Sequence, residues 1–180
     1  MNLNDTSNDT VDNSLNDTVD TIDLRARKRA ILFAITLSQF AYPFMVSAVA
    51  VALPSMGREF SAGAVALSLV ESSFVATLAM LLLPFGRLSD MIGRGPMFFW
   101  GQVIFTVTTL LLGFSPSIPV FIALRIVQGF GGAMVVATGL AILTETFPKK
   151  ERGQAMGTAV TGVYVGLSLG PFMGGMLTQH

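Results

Sequence analysis

The residue best placed to do chemistry in this sequence is Arg125, the one charged side chain within residues 118–144. Gln128 follows it on the same face of a helix. An arginine within hydrocarbon costs at least ~2.5–3.5 kcal/mol, and such residues typically mark a substrate or proton path. We therefore interpret Arg125, with Gln128 as its neighbour, as facing a polar cavity. The alternative is that the guanidinium reaches the outer membrane surface along its aliphatic stem.

A second ionisable group, Glu71, lies in the apolar stretch 65–85, with Ser68 and Ser72 on or near its face. Desolvation favours the neutral form of a carboxyl group, which would suit a proton carrier. A neighbouring Arg125 would oppose this by favouring the charged form. Alternatively, Glu71 reaches interfacial water, because it is about one and a half helical turns from the end of its stretch.

A charged turn separates the second and third apolar stretches and reads GRLSDMIGRGPMF. Asp90 and Arg94 are four residues apart, the spacing of an ion pair on one helical turn. Gly93 and Gly95 permit a tight reversal of the chain, and Pro96 suits the first turn of the next helix. A solvated cytoplasmic turn with no other role is the simpler interpretation of the same residues.

The fifth apolar stretch carries a ridge of glycines at every fourth position: Gly162, Gly166, Gly170 and Gly174. In water each interior glycine would cost about 1 kcal/mol relative to alanine. In a bilayer the backbone stays helical, and the ridge allows close approach of a neighbouring backbone. Pro171 removes one amide donor and predicts a bend just after Gly170. We expect the ridge to serve a large partner surface outside these residues.

The composition places these groups in a membrane protein. The chain is 52% hydrophobic and 12% charged, with a mean hydropathy of +0.65, whereas soluble domains carry about twice that charged fraction. Cysteine is absent and the single histidine is His180, so thiolate sites and disulfides are excluded. No carboxylate pair has a spacing suited to acid–base work or metal binding. We expect neither an enzyme nor a cofactor, metal or nucleic-acid partner.

The predicted fold is all-α, a multi-pass transmembrane bundle of about five helices. Residues 1–29 are rich in Asn, Asp and Thr and are predicted to be a disordered polar tail ending in a basic cluster. Residues 30–177 form the bundle, with each span near the ~20 residues that cross the hydrocarbon. The predicted spans are 30–53, 65–85, 97–114, 118–144 and 154–177.

The distribution of basic residues predicts the orientation of the bundle. One side holds nearly all of them: Arg25, Arg27, Lys28, Arg29, Arg87, Arg94, Lys149, Lys150 and Arg152. The loops on the other side hold only Arg58. By the positive-inside rule the N-terminus is cytoplasmic and the protein lies in the plasma membrane. Because the sequence stops at His180, directly after a span, we expect a chain truncated after residue 180.

Three motifs together make the chain resemble the N-terminal half of the major facilitator superfamily, particularly its proton-coupled drug antiporters. The loop motif is matched by Gly86, Asp90, Gly93 and Arg94, with departures at Met91 and Gly95. The fourth-helix motif R-x-x-Q-G-x-G-x-A is matched by Arg125, Gln128, Gly129, Gly131 and Ala133. The exporter motif of the fifth helix is matched by Gly157, Gly166, Gly170, Pro171, Gly174 and Gly175.

The resemblance implies a secondary transporter that exports small amphipathic compounds or drugs in exchange for protons. It gives Asp90 and Arg94 the role of a cytoplasmic latch, and Arg125 a role in proton transfer. It also implies as partners the lipid bilayer and a missing C-terminal half, with the substrate bound between the halves. Met45 stands where one branch of these antiporters has an acid. The alternative is a non-transporting scaffold or regulatory bundle that binds a partner through the glycine ridge.

Overall fold

A computed structural model describes residues 3–60 and 62–178 of the chain. Over these ranges the structure consists of five α-helices joined by short turns, with no strand. Each helix contains a segment long and apolar enough to cross a membrane. The helices are α1 (Leu3–Glu59), α2 (Ala64–Ile92), α3 (Arg94–Leu112), α4 (Ile118–Thr146) and α5 (Lys149–Thr178). The predicted fold class is therefore confirmed, with α3 beginning three residues before the predicted start at residue 97.

The first helix is longer than the sequence predicts. The backbone of residues 3–29 is helical and continuous with the first span, which differs from the predicted disordered tail. Extending an existing helix forms one hydrogen bond for each residue fixed and avoids the cost of nucleation. A segment of weak intrinsic propensity is therefore helical where it continues the first span. The segment of α1 that could cross a membrane lies within Asp23–Ser55, and its continuous apolar run begins after Arg29.

The turns follow from residues with special backbone requirements. Gly93 has a φ of +99°, the only glycine with a positive φ in the part of the chain that the structure describes, and it both ends α2 and precedes α3. The predicted reversal thus depends on Gly93 alone, because Gly95 is already inside α3. A proline in the first turn of α4, Pro119, occupies a position where its missing N–H costs nothing.

The order of contacts along each pair of helices gives their relative directions. Gly162, Gly166 and Gly170 of α5 meet progressively later residues of α1, so these two helices are parallel. In the same way Gly129 and Gly132 of α4 meet Phe74 and Leu78 of α2, so α2 and α4 are parallel. The pair α3 and α4 is antiparallel because they are joined by one short turn.

Helix α4 is the centre of the bundle. Half of its most apolar segment is buried, compared with at most 28% in the other four helices. Two glycines allow this, each facing a different neighbour: a Cβ on Gly129 would lie 2.9 Å from the Phe74 carbonyl oxygen of α2. A Cβ on Gly131 would lie 2.7 Å from the Phe105 backbone nitrogen of α3. These contacts hold the polar residues of α4 between its neighbours.

Apolar side chains fill the bundle at two levels. One buried cluster, near the basic end, contains Ile35, Leu143, Phe147, Ala155 and Ala159. The other, near the opposite end, contains Val49, Val70, Leu112, Ile118 and Phe121. Many large apolar residues on the outside of the helices remain exposed, which is the pattern of surfaces that meet lipid or other membrane helices.

Candidate substrate and proton pathway

Arg125 lies inside the helical bundle. Its side chain is 1% exposed, and it starts about two helical turns (~10 Å) from the beginning of α4. Two aromatic rings flank the guanidinium: Cζ is 5.2 Å from the ring centroid of Phe74 in α2 and 6.0 Å from that of Phe121 in α4. Both distances suit cation–π attraction. The structure therefore places this charge among the helices, and the alternative of a side chain that extends to the aqueous surface does not describe it.

A chain of hydrogen bonds connects Arg125 to the third helix. Arg125 Nη1 donates to Gln128 Oε1 at 2.9 Å, and Gln128 Nε2 donates to Thr109 Oγ1 at 2.7 Å. Thr109 Oγ1 in turn donates to the Phe105 carbonyl oxygen at 2.7 Å. Gln128 is fully buried, so its amide is fixed by partners on both sides. These hydrogen bonds orient the guanidinium from one side only.

The other polar atoms of Arg125 are less fully satisfied. Its Nε is buried and has no hydrogen-bond partner, and no carboxylate of the described side chains forms an ion pair with it. A buried, incompletely paired charge is costly in hydrocarbon and is a mark of function rather than of stability. The arrangement can attract an anionic group.

Glu71 of α2 is the acidic residue that we considered from the sequence as a neighbour of Arg125. Its side chain is half-buried and lies close enough for electrostatic attraction to the guanidinium, while forming no ion pair with it in the described contacts. Ser68 and Ser72 are exposed. Glu71 and Arg125 each lie seven residues after the first residues of two parallel helices, Ala64 and Ile118. They are therefore at similar depth.

Four residues of this site could not be distinguished from ordinary core residues in the sequence. They are Tyr42, Phe74, Thr109 and Phe121. The ring of Tyr42 in α1 packs in a tilted arrangement against Phe74, with ring centroids 5.5 Å apart, and against Phe105 at 6.1 Å. Aromatic and threonine residues occur throughout the apolar stretches, and only the fold brings these ones to Arg125. The site thus draws on α1, α2, α3 and α4.

The charged turn between α2 and α3 forms a three-residue ion-pair network. Arg94 Nη2 lies 2.9 Å from Asp90 Oδ1, which confirms the ion pair predicted from their spacing. Arg94 Nη1 lies 3.0 Å from Glu145 Oε1, near the end of α4. Glu145 was not identified from the sequence. The carboxylates of both acids are largely exposed. The carbonyl of Gly86 accepts a hydrogen bond from Ser89 Oγ at 2.7 Å, inside α2.

The glycine ridge of α5 faces α1. A Cβ on Gly162 would lie 2.7 Å from the Thr36 carbonyl oxygen, and one on Gly174 would lie 3.1 Å from the Ala48 carbonyl oxygen. Between them, Gly166 lies against the Phe40 carbonyl, and Gly170 lies against Ser47 and Phe44. The expectation that this ridge serves a surface outside these residues is therefore wrong. Because glycines at every fourth position leave room for the α1 backbone, these two parallel helices of the same bundle approach closely.

Two glycines of the exporter motif lie away from this contact. A Cβ added to Gly157 or to Gly175 would meet no heavy atom within 4 Å. The motif therefore divides between two faces of α5, and only Gly166, Gly170 and Gly174 meet α1. In the ranges that the structure describes, no group of three His, Cys, Asp or Glu side chains is arranged to hold a metal ion.

Pro171 affects both helices of this contact. Having no N–H, it leaves the carbonyl of Leu167 without its usual donor four residues later. Ser47 Oγ of α1 donates to that carbonyl oxygen at 3.4 Å. The partner of the freed carbonyl thus comes from the neighbouring helix.

Residues 35–180 match the family model described as Major Facilitator Superfamily. The chain is 30% identical over 156 residues to the riboflavin transporter RibZ of Clostridioides difficile, covering 86% of this chain and 34% of RibZ. It is 34% identical over 131 residues to the multidrug resistance protein Stp of Mycobacterium tuberculosis, covering 72% of this chain and 24% of Stp.

A third curated relative and a solved structure are also similar to this chain. The chain is 31% identical over 158 residues to the putative multidrug resistance protein MdtD of Cronobacter sakazakii, covering 88% of this chain and 34% of MdtD. The fold superposes with a TM-score of 0.74, at 24% identity, on a bacterial homologue of the human lysosomal transporter Spinster in an inward-facing, unoccupied conformation. That match covers 83% of this chain and 32% of the other. The chain spans between 24% and 34% of the length of these relatives.

Proposed function

Because this multi-pass membrane chain belongs to the major facilitator superfamily, we propose that it supplies the proton-coupling helices of a transporter that exports small amphipathic compounds in exchange for protons. The relatives named above as multidrug resistance proteins support export of drug-like compounds. The riboflavin transporter among the relatives adds flat aromatic vitamins to the substrates worth testing. In this proposal the N-terminus is cytoplasmic and a second set of helices completes the substrate path.

The observation that carries the proposal is the state of Arg125. Its guanidinium is 1% exposed, bonded on one side through Gln128, and left with a buried Nε that has no partner. Glu71 lies within electrostatic reach of it. A permanently charged group beside a carboxyl group that can gain or lose a proton is an arrangement that couples protonation to an electrostatic change. Arg125, Gln128 and Glu71 are the proposed coupling residues.

The ion-pair network of Asp90, Arg94 and Glu145 is proposed to be the cytoplasmic latch. It ties the α2–α3 turn to the end of α4. Exposed ion pairs contribute little stability, so this network is better suited to a contact that breaks and reforms than to holding the fold together.

The scaffold alternative loses its proposed binding surface. It required an unpartnered glycine ridge, and the ridge is occupied by α1 within the same chain. A membrane transporter therefore remains the better supported function.

The experiment is an efflux assay in cells that express the complete transporter containing this sequence. The cells are loaded with a fluorescent cationic dye or with riboflavin. Efflux should depend on the proton gradient and stop on addition of a protonophore. Arg125→Ala should abolish energised efflux, and Glu71→Gln should remove its dependence on the gradient. The variant Arg58→Gln, which removes an exposed basic residue near the end of α1, is the control.

The protein level in the membrane is measured for each variant, so that loss of transport is separated from loss of insertion. Unchanged efflux in Arg125→Ala at normal protein level would contradict the proposed role of this residue. Efflux that is insensitive to a protonophore in the unmodified protein would contradict proton exchange itself.

A further inference from the structure

Tyr42 is an α1 side chain that meets three other helices beside the buried arginine. Its ring centroid lies 5.5 Å from that of Phe74 in α2 and 6.1 Å from that of Phe105 in α3. A Cβ added to Gly132 of α4 would lie 3.5 Å from Tyr42 Cε2. Through this one ring, α1 therefore contacts each of the other helices that supply the Arg125 site.

The position of Tyr42 is fixed from the opposite side of α1. Phe40 and Phe44, two residues before and two residues after it, present their backbone to the glycines of α5. A helix turns by about 100° for each residue, so Tyr42 points about 200° away from each of these neighbours. Tyr42 thus lies on the side of α1 that faces away from α5 and toward Arg125.

Phe74 connects Tyr42 to the arginine. Phe74 is 1% exposed, and Cζ of Arg125 lies 5.2 Å from its ring centroid. Cation–π attraction requires the charge to lie over the face of the ring, so it depends on the orientation of Phe74. The Cε2 atoms of Phe74 and Tyr42 lie 3.7 Å and 3.5 Å from the same point, a Cβ added to Gly132. Tyr42 therefore restricts the orientations that are open to the Phe74 ring.

The guanidinium depends on this ring because its polar contacts lie on one side. Arg125 Nη1 donates to Gln128 Oε1, whereas the buried Nε has no hydrogen-bond partner. Phe74 and Phe121 are the two rings within cation–π distance in the part of the chain that the structure describes. Phe121 belongs to α4 itself, one turn before Arg125. Of these two rings, only Phe74 fixes the guanidinium relative to another helix.

We propose that Tyr42 is a positioning residue for Arg125. Acting through Phe74, its ring holds the guanidinium in the orientation that bonds to Gln128, and this makes the orientation depend on where α1 lies. The consequence for efflux rests on the function proposed above for Arg125. The orientation of the guanidinium itself can be measured in this chain without transport.

The first measurement is nitrogen NMR of the purified chain with isotopically labelled arginine. The Nε–H signal of Arg125 is identified as the one that Arg125→Lys removes. Tyr42→Leu should shift this signal, because the guanidinium then moves relative to the face of Phe74. Hydrogen exchange at Nε should become about two- to twelvefold faster, the factor that corresponds to the loss of one aromatic pair.

Two matched variants separate the ring from general packing. Tyr42→Phe removes only the hydroxyl group and should keep the Arg125 signal and its exchange rate. Phe85→Leu breaks another tilted aromatic pair between α2 and α4, that of Phe85 and Phe130 at 6.0 Å. Because Phe85 is ~16 Å further along α2 than Phe74, this control should leave the Arg125 signal unchanged. Thermal unfolding checks that each variant is folded.

Action through Phe74 is tested by a double-mutant cycle. Phe74→Leu alone should shift the Arg125 signal and speed its exchange, and adding Tyr42→Leu should change both little further. If Tyr42→Leu does not fold, the longer Tyr42→Met takes its place. In the complete transporter, Tyr42→Leu should reduce efflux and Tyr42→Phe should not.

Four results would overturn the proposal. They are an unchanged Arg125 signal in a folded Tyr42→Leu variant, an equal change in Phe85→Leu, loss of the signal position in Tyr42→Phe, and additive effects of Tyr42→Leu and Phe74→Leu. A shifted signal in Tyr42→Leu with undiminished efflux would support the positioning role. That combination would count instead against the coupling role proposed for Arg125.

Discussion

Gly166 of α5 lies directly against the backbone carbonyl of Phe40 in α1, closer than any Cβ could approach. This contact is the narrowest point of a parallel helix pair in which four α5 glycines in succession meet the α1 backbone or Ser47. In a bilayer, where apolar side chains gain little by leaving lipid, close approach of this kind is a main source of helix association. The pair α1–α5 is therefore the part of the bundle most sensitive to an added methyl group.

The first prediction concerns this contact. Gly166→Ala should separate α1 from α5 and lower the free energy of unfolding by about 1–3 kcal/mol, the usual cost of overpacking. The matched control is Gly157→Ala in the same helix, where a Cβ meets no heavy atom within 4 Å. Because alanine is the better helix former, the control should be neutral or slightly stabilising. Unfolding of the purified chain in mixed detergent measures both, and equal destabilisation would contradict the close contact at Gly166.

A second prediction joins Ser47 to Pro171 of α5. Ser47→Ala should cost about 0.6 kcal/mol, because it removes the donor to the Leu167 carbonyl. Pro171→Ala restores an N–H that can donate to the same carbonyl within α5. The cost of Ser47→Ala should therefore fall to about zero in the Pro171→Ala background. A double-mutant cycle of unfolding free energies measures this coupling, and an unchanged cost in both backgrounds would exclude it.

The third prediction concerns the hydrogen bonds of the buried arginine. Gln128→Leu should destabilise the bundle by about 1.5–3 kcal/mol, since it removes an acceptor from a charged donor and an amide donor from Thr109. Thr109→Val, which leaves the Arg125–Gln128 bond in place, should cost only about 0.5–1.5 kcal/mol. Unfolding free energies of the two variants measure the difference. A larger effect of Thr109→Val would mean that Gln128 does not act chiefly through Arg125.

The fourth prediction separates stability from function at the charged turn. Arg94→Gln removes ion pairs to Asp90 and Glu145, yet the thermal unfolding temperature should change little, because exposed pairs are worth less than about 1 kcal/mol each. If the turn is a latch, Arg94→Gln in the complete transporter should reduce efflux. Glu145→Gln should reproduce part of the loss. A strongly destabilised Arg94→Gln variant would indicate a structural role for the turn.

The fifth prediction concerns orientation in the membrane. The chain contains no cysteine, so single cysteines can be introduced without background. Ala26→Cys, beside the basic cluster of α1, should be protected from a membrane-impermeant maleimide in intact cells, whereas Pro116→Cys, between α3 and α4, should react. Both positions are exposed in the structure. Labelling of Ala26→Cys from outside would reverse the proposed cytoplasmic location of the N-terminus.

Much of the fold could be predicted from the sequence, because the decisive property is local. A segment that crosses hydrocarbon must satisfy its own backbone, so length and hydropathy were sufficient to locate all five helices. The reversal at Gly93 and the ion pair between Asp90 and Arg94 are equally local, since they depend on residues within one turn. Arg125 and Gln128 stood out because polar groups are rare in apolar stretches.

What only the tertiary structure decided are the contacts between residues far apart in the chain. The spacing of Gly162 to Gly174 predicts a smooth ridge but does not say which helix covers it, and the answer is α1. Thr109 and the rings of Tyr42 and Phe74 join the Arg125 site, and Glu145 joins the ion pair of Asp90 and Arg94, because of how each helix is rotated about its axis. That rotation is set jointly by all the neighbouring helices, through contacts such as those at Gly129 and Gly131, and no single stretch of sequence contains it.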